Sequence, residues 1–434
     1  MKIQEHIGKI GWTIADKIVI GVFGFVSLLQ MSMMRPDELG MWGLMASINL
    51  WIFAVTTSFG LQGMIQFGAK EETRPKADFL GLTVHTGISM GVSLIILLFR
   101  YPLADLFNEP RFVLIGLYFP LLTLVTIPRY FVLKYLQRDY RFREYFFVDF
   151  VYFGAVAVLI FYQKFTTNHI DFMQCLNFNL IGSGLSSLFG MLMIIRELKF
   201  STKTSLKFKE FAVFSFPLTV NGLIYALPRQ LDIAVVQIFF NSSVVGIYYS
   251  AKQLYRIFEE AGYAASGLIY PSSVKLIAKG KKEELKTLMV KAASFLFCSF
   301  LVVVIALNLG LTDILIKLFL KPVFYSAIGQ FNLLSLAALL LPFSLMSGYI
   351  VAEGKSYIAA KYSFISLIGF FIVLIAVGYS GNAQLIPLGI ISFQLIFGIY
   401  SYRYIHKNYD FKLSTIFQAI PDSFHFIKKI LKKK

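Results

Sequence analysis

Twelve stretches of this chain are each long and apolar enough to cross a lipid bilayer as a helix, and that repetition constrains the fold more than any other feature. A hydrocarbon core about 30 Å thick needs roughly 20 apolar residues in helical form. Windows of that kind fall at 10–33, 40–67, 79–99, 112–132, 146–162 and 175–195, then at 211–239, 244–270, 292–311, 331–351, 362–380 and 385–405. The sequence therefore predicts an all-α integral membrane protein of about twelve transmembrane helices. Overall composition agrees: 57% of the 434 residues are hydrophobic and 15% charged, with a mean hydropathy of +0.69, too apolar for a soluble protein of several domains.

The net charge of +17 raises nucleic acid as a partner. The cations, however, sit in short segments between apolar runs and form no continuous basic face, so nucleic acid is not expected. Alternate loops differ sharply in charge. One set carries Lys70, Arg74 and Lys76; Arg129, Lys134, Arg138, Arg141 and Arg143; Arg196, Lys199, Lys203, Lys207 and Lys209; Lys275, Lys279, Lys281, Lys282, Lys286 and Lys291; Lys355 and Lys361. The other set offers Arg35, Arg100, Arg111, Lys164, Lys317 and Lys321. Basic loops resist translocation, so the first set is expected in the cytoplasm together with both termini. The first stretch carries Asp16 and Lys17 and has no small-residue cleavage site, which predicts an uncleaved helix with no soluble domain ahead of it.

The chain is expected to divide into a six-helix bundle at 1–199, a cytoplasmic linker at 200–210, a second six-helix bundle at 211–405 and a basic cytoplasmic tail at 406–434. The segment Leu39-Gly40-Met41-Trp42, entering the second window, echoes Val245-Gly246-Ile247-Tyr248, entering the eighth. Six windows separate them, as two like-oriented repeats around a central cavity require. Within the tail, Phe424, Phe426, Ile427, Ile430 and Leu431 alternate with lysines, which reads as an amphipathic segment on anionic lipid.

Charges inside the windows mark the functional candidates, because an ionised side chain at mid-span costs about 2.5–3.5 kcal/mol on insertion scales. They are Asp16 and Lys17, Asp149, Arg229 and Asp232, and Lys252, Arg256, Glu259 and Glu260. In the seventh window Asn221, Tyr225, Arg229 and Asp232 recur at helical spacing beside Pro217 and Pro228, which interrupt the hydrogen-bond ladder. A carbonyl freed at membrane depth needs a partner from protein or water, so this reads as a broken helix lining a watered chamber. Tyr249, Lys252, Arg256, Glu259 and Tyr263 share a face of the eighth window. Substrate binding is expected at Arg229, Arg256, Lys252, Asn221, Tyr225 and Tyr249, since a planar guanidinium suits phosphate oxygens. Against this stands simple neutralisation: Arg256 has Glu259 and Glu260 at i+3 and i+4, and Arg229 has Asp232 at i+3.

No catalytic residue and no metal site is expected. The five histidines are scattered, Cys175 and Cys298 are far apart in the sequence, and no phosphate-cradling Gly-rich run occurs. No cofactor is implied. Coupling to Na+ or H+ is the remaining internal energy source, with Asp16, Asp232, Glu259 and Glu260 as the deep carboxylates able to serve it.

Taken with these features, Arg35-Pro36-Asp37-Glu38-Leu39-Gly40-Met41-Trp42 and Phe59-Gly60-Leu61-Gln62 resemble the opening helix pair of bacterial polysaccharide flippases. Leu136-Gln137-Arg138-Asp139-Tyr140-Arg141-Phe142-Arg143 is similar to that family's basic inner loop, and Leu231-Asp232 with Val245-Gly246-Ile247-Tyr248 and Ala251 to the start of its second half. The family is the O-antigen and capsule branch of the multidrug/oligosaccharidyl-lipid/polysaccharide exporter superfamily. The resemblance implies translocation of an undecaprenyl-pyrophosphate-linked oligosaccharide from the inner to the outer leaflet of the bacterial cytoplasmic membrane by alternating access. Partners would be that lipid, the surrounding membrane lipids, and a polysaccharide polymerase with its chain-length machinery. Lipid II flippases of the superfamily carry two further spans. Cationic residues line the family's cavity, and Arg229, Lys252 and Arg256 match by placement, although an equal number of acids lies beside them. Two other functions compete: a cation-coupled multidrug exporter of the same superfamily, and a membrane enzyme of glycan assembly. Short outer loops disfavour the enzyme, and a scaffold role gives the deep charges no purpose.

Overall fold

The computed structural model describes the backbone of residues 3–418, and the side chains within it apart from those at 3–10, 221, 222, 225, 268 and 416–418. The proposed amphipathic segment of the tail lies outside the described residues. Every predicted window coincides with helix. We label these helices α1 (Ile3–Met33), α2 (Pro36–Phe67), α3 (Arg74–Leu98), α4 (Phe112–Arg138), α5 (Phe142–Thr166) and α6 (Phe172–Ile194). Then come α7, built of Phe208–Ala226, Leu227–Leu231 and Asp232–Phe239; α8 (Ser242–Ala278); and α9 (Lys282–Phe319). The last three are α10, formed by the bent pair Ala327–Ala338 and Leu341–Ala352, α11 (Ser356–Ser380) and α12 (Ala383–Tyr409). Among the described residues nine helices are long and apolar enough to cross a membrane, and α10 makes a tenth if its 42° bend is one broken span. Helices α7 and α8 are not in that group; α8 carries four ionic residues between Lys252 and Glu260.

The helix limits follow from local chemistry. Pro36 opens α2, where its missing N–H costs nothing, with Asp37 and Glu38 in the first turn against the helix dipole. Asp171 and Gln174 form a reciprocal capping box at the start of α6. Gly381, at φ +67°, ends α11 in the left-handed region that glycine enters at little cost. Three helices widen into a π turn: Thr57–Leu61 in α2, Leu227–Leu231 in α7 and Leu307–Leu311 in α9. Pro228 lies in the second, as its missing donor demands. By contrast Pro217, which the sequence offers as a second interruption, sits inside continuous helix.

By packing, the chain forms two compact units, Met1–Gly246 and Ile247–Lys434, whose boundary falls in the first turns of α8. In the first unit, α4, α5 and α6 pack on one another and α3 on α4, while α1 lies along α5 through Trp12 against Phe146 and Phe147 and Phe23 against Phe153. Helix α7 belongs to this unit because it packs on α2. The 195–207 segment also docks here: Leu206 is buried with Ala77 and Phe211, and the Ser201 N–H donates to Pro75 O. In the second unit, α11 packs along α12, and a core of Leu285, Met289, Met346, Tyr349, Ile350, Ile405 and Phe411 joins α9, α10 and α12.

Candidate functional site

Each unit contributes its own charged residues. In the first, the π turn of α7 carries Arg229, half-buried, and Asp232 follows as the fully buried first residue of Asp232–Phe239. The side chains of Asn221 and Tyr225 lie outside the described residues. In the second unit, α8 buries Tyr249, Lys252 and Glu259, leaves Arg256 half-buried and exposes Glu260. Burying Lys252 and Glu259 on one helix demands a polar surrounding, and every ionic residue named here takes part in a hydrogen bond, ion pair, ring contact or electrostatic interaction.

The first unit holds a second ionic centre that sequence reasoning placed wrongly. Arg129 is not a loop residue: α4 continues as helix to Arg138, and Arg129 is buried within it. Its guanidinium donates to Asp149 on α5 at 2.5 Å and stacks over Tyr152, 4.2 Å from the ring centre, with Tyr130 and Phe153 at 5.8 and 5.9 Å. The faces of these rings favour a cation where water is scarce. Asp16 of α1, 4% exposed, brings its carboxyl against that of Asp149, and its Oδ1 has no hydrogen-bond partner. Lys17 Nζ lies 3.8 Å from the other oxygen, but its side chain is 71% exposed. Two buried carboxylates thus face one buried guanidinium, with the exposed Lys17 ammonium at the edge of the centre. The signal was in the sequence: an Asp at membrane depth in the fifth window required a cation, and Arg129 is the nearest basic residue of the preceding window.

Other residues read as loop charges prove to be paired across helix ends. Arg138 pairs with Asp78, both almost fully buried, while Arg74 bonds Asp139 at 2.5 Å and Tyr135 at 2.9 Å. The start of α3 and the end of α4 are therefore cross-stitched by two ion pairs of opposite polarity. Near the start of α2, Arg111 chelates Glu109 with two bonds of 2.9 Å and reaches Asp37 at 3.1 Å and Glu38 at 3.2 Å. The Ser242 hydroxyl, at the start of α8, donates to Glu109 at 2.5 Å. Burial pushes the Glu109 carboxyl up, but the bonds from Arg111 and Ser242 outweigh it and hold the group below the usual carboxylate range. Arg111 is pushed up in turn, chiefly by Glu109. Among the described residues no group of three His, Cys, Asp or Glu is placed to hold a metal ion.

With this geometry in view, the decisive comparison is of sequence. Residues 32–321 match the family described as polysaccharide biosynthesis protein. The chain belongs to that family. No curated protein shows significant similarity to it. Solved structures similar to this polysaccharide biosynthesis protein are transporters. One is an inward-facing multidrug resistance transporter of the MATE family, in the MOP superfamily, with TM-score 0.76, 14% identity, and 89% of this chain and 93% of that chain covered. The inward closed lipid II flippase MurJ gives TM-score 0.70 and 14% identity over 97% of this chain and 93% of its own. A MOP superfamily transporter from Pyrococcus furiosus, described as having a binding pocket of reverse polarity, gives TM-score 0.60 and 14% identity over 92% and 94%. At such identity the likeness is one of fold. Family, fold and the apolar helices together make this a multi-pass membrane protein of the polysaccharide biosynthesis family with the fold of those transporters.

Proposed function

We propose that this protein flips an undecaprenyl-pyrophosphate-linked oligosaccharide, a repeat unit of O-antigen, capsule or exopolysaccharide, from the inner to the outer leaflet of a bacterial cytoplasmic membrane. It does so by alternating access, with twelve spans and both termini in the cytoplasm. The observation that carries the reading is the burial of Asp232, Lys252 and Glu259 on α7 and α8 in a member of a polysaccharide biosynthesis family. Hydroxyls and phosphates stranded in hydrocarbon cost several kcal/mol each, so a head group needs a hydrophilic route. Arg229 and Arg256 serve the phosphates, and Lys252, Asn221, Tyr225 and Tyr249 the sugars. A lipid II flippase among the relatives in fold supports a lipid-linked substrate. A polymerase and its chain-length machinery would take the product on the outer face.

Coupling falls to Asp16. Its carboxyl meets Asp149 beside the guanidinium of Arg129, and a proton or Na+ taken up there relieves the repulsion between the two carboxylates. Asp232, Glu259 and Glu260 are the alternative coupling carboxylates. The same pair of buried carboxylates favours a second reading, a cation-coupled exporter of amphipathic cations.

The test is flipping of a lipid-linked oligosaccharide by reconstituted protein. The Arg229→Ala, Arg256→Ala double variant, folded as judged by gel filtration, is expected to lose at least about tenfold in rate, about 1.4 kcal/mol of barrier. Unchanged flipping in that variant would count against the phosphate role.

A further inference from the structure

The buried face of α3 is polar where a packing face is ordinarily apolar. His85, Ser89 and Ser93 follow one another at successive turns along it, and none has exposed surface. Both ring nitrogens of His85 and both serine hydroxyls are without a hydrogen-bond partner. Thr123 of α4, equally buried, is unpaired as well. Because His85 lies beside Tyr130, and Arg100 just past α3 beside Gly116, the antiparallel register of α3 and α4 sets Thr123 level with Ser93. Hydroxyls in other spans bond back to the carbonyl one turn before, as those of Ser27, Thr126 and Ser366 do. Unpaired hydroxyls such as Ser215 and Thr312 do occur elsewhere, but they extend no row. Buried polar groups are ordinarily satisfied, and a line of them left unsatisfied calls for an explanation in function.

The backbone of α2 widens at the same level. Gly60, in the π turn Thr57–Leu61, packs so close to α3 that a Cβ there would press on the Gly81 carbonyl oxygen and the His85 backbone nitrogen. Such turns recur at functional sites. The Thr56 carbonyl lies near the His85 ring without a well-formed bond to it. Toward α4, the His85 ring meets Tyr130 at 6.4 Å between ring centres, and Phe53 of α2, at 5.7 Å from His85, stacks on Tyr130 at 4.5 Å. The Arg129 guanidinium stands over that same Tyr130 ring at 5.8 Å. Tyr130 therefore borders both the row on α3 and the centre formed by Arg129, Asp149 and Asp16. It is the titratable group that faces His85, with Arg129 and Asp149 beyond it; α2 carries none from Leu39 to Phe67, and α3 none besides His85 after Asp78.

We propose that His85 is a proton carrier, and that Ser93, Thr123 and Ser89 lead protons to it from the Leu98 end of α3, the outer end in the topology proposed above. From His85 the path runs by way of Tyr130 to the carboxyls of Asp149 and Asp16. Each group on it can both donate and accept a hydrogen bond, as a relay requires. The imidazole gains a proton at one ring nitrogen and gives up the hydrogen of the other, returning neutral in its second tautomer. The phenol of Tyr130 likewise accepts on its oxygen and releases its own hydrogen, which a carboxylate takes. This rests on the reading of Asp16 as the coupling carboxylate and deepens it, since a path of hydroxyls and an imidazole carries H+ and gives Na+ no ligand cage.

The test needs no substrate. The C2 hydrogen of an imidazole exchanges for deuterium when the ring is reversibly protonated and within reach of water. Exchange is followed by mass spectrometry on the full chain in lipid nanodiscs from about pH 5 to pH 9, with the exposed His169 as reference. His85 is expected to exchange, with a sigmoidal dependence on pH. The Ser89→Ala, Ser93→Ala double variant is expected to slow that exchange at least about tenfold, as loss of hydrogen bonds along the path gives, and to leave His169 unchanged. Alanine favours helix and removes hydroxyls that have no partner, so this variant is expected to be as stable as wild type. Thr123→Val, which keeps the volume, is expected to act in the same direction. Exchange at His169 with none at His85, or an unchanged His85 rate in these variants, would overturn the path. If His85 exchanges and the variants slow it, but a pH gradient drives no flipping by wild type, the path stands and coupling through Asp16 falls.

Discussion

Arg129 donates to Asp149 at 2.5 Å inside the first unit, with the ring of Tyr152 stacked 4.2 Å from its guanidinium. The two residues lie twenty positions apart on successive helices, and each compensates a burial that alone would be untenable. Arg129→Ala leaves Asp149 and Asp16 facing one another without a buried cation. The expected loss is roughly 3–5 kcal/mol of stability, read as a lowered unfolding midpoint in detergent, and Arg129→Lys should recover part of it. An unchanged midpoint in Arg129→Ala would show that the pair carries no such burden.

Arg138 and Asp78 form the counterpart between α4 and α3, at side-chain exposures of 3% and 2%. A double-mutant cycle with Arg138→Ala and Asp78→Ala is expected to give a coupling energy of about 0.5–3 kcal/mol. Each single variant should be more damaging than the pair, because it strands a buried charge. Additive effects would mean that the two groups do not interact.

The second unit offers a pH test outside the spans. Glu353 accepts from Lys355 at 2.8 Å, from Tyr404 at 2.6 Å and from Tyr409. Burial pushes the carboxyl up, but these bonds outweigh it and the net shift is below its ordinary 4.5. A carboxylate whose folded value is depressed stabilises the fold above its unfolded value and loses that contribution as pH falls through the folded one. Wild type should therefore exceed Glu353→Gln in thermal stability at pH 7, with the gap closing only below about 4.5. A gap constant down to pH 3 would contradict the ionic role.

Gly310 holds φ +118° within the π turn of α9, where a side chain is strained even with open space around it. Gly310→Ala is expected to cost roughly 1–3 kcal/mol or to shift the break along the helix. A variant as stable as wild type would show that the turn relaxes freely.

These residues indicate what the sequence could disclose. Helix positions were legible because a bilayer-length apolar run is a strong one-dimensional signal, and all twelve windows fall on helix. Their ends were less so. The window that stopped at Val132 continues to Arg138, since a helix can carry paired charges that a hydropathy window excludes. Pairing is a three-dimensional fact: Arg74, Arg129, Arg138 and Arg111 look alike as loop cations, and only packing shows each with its own acid. The charged positions of α7 and α8 were visible from their cost in hydrocarbon, whereas the Asp16–Asp149–Arg129 centre needed α1 to lie along α5. The π turn at Pro228 was foreshadowed by the proline, but those in α2 and α9 had no such marker.

The central claim, that the hydrophilic path serves a lipid-linked sugar, is tested most directly by reconstituting wild-type protein into vesicles. One leaflet is loaded with undecaprenyl-pyrophosphate oligosaccharide, and a fluorescent amphipathic cation is supplied in parallel. The account predicts protein-dependent appearance of the oligosaccharide on the opposite leaflet and no transport of the cation. Movement of the cation under a proton or sodium gradient, with the oligosaccharide left in its original leaflet, would contradict it.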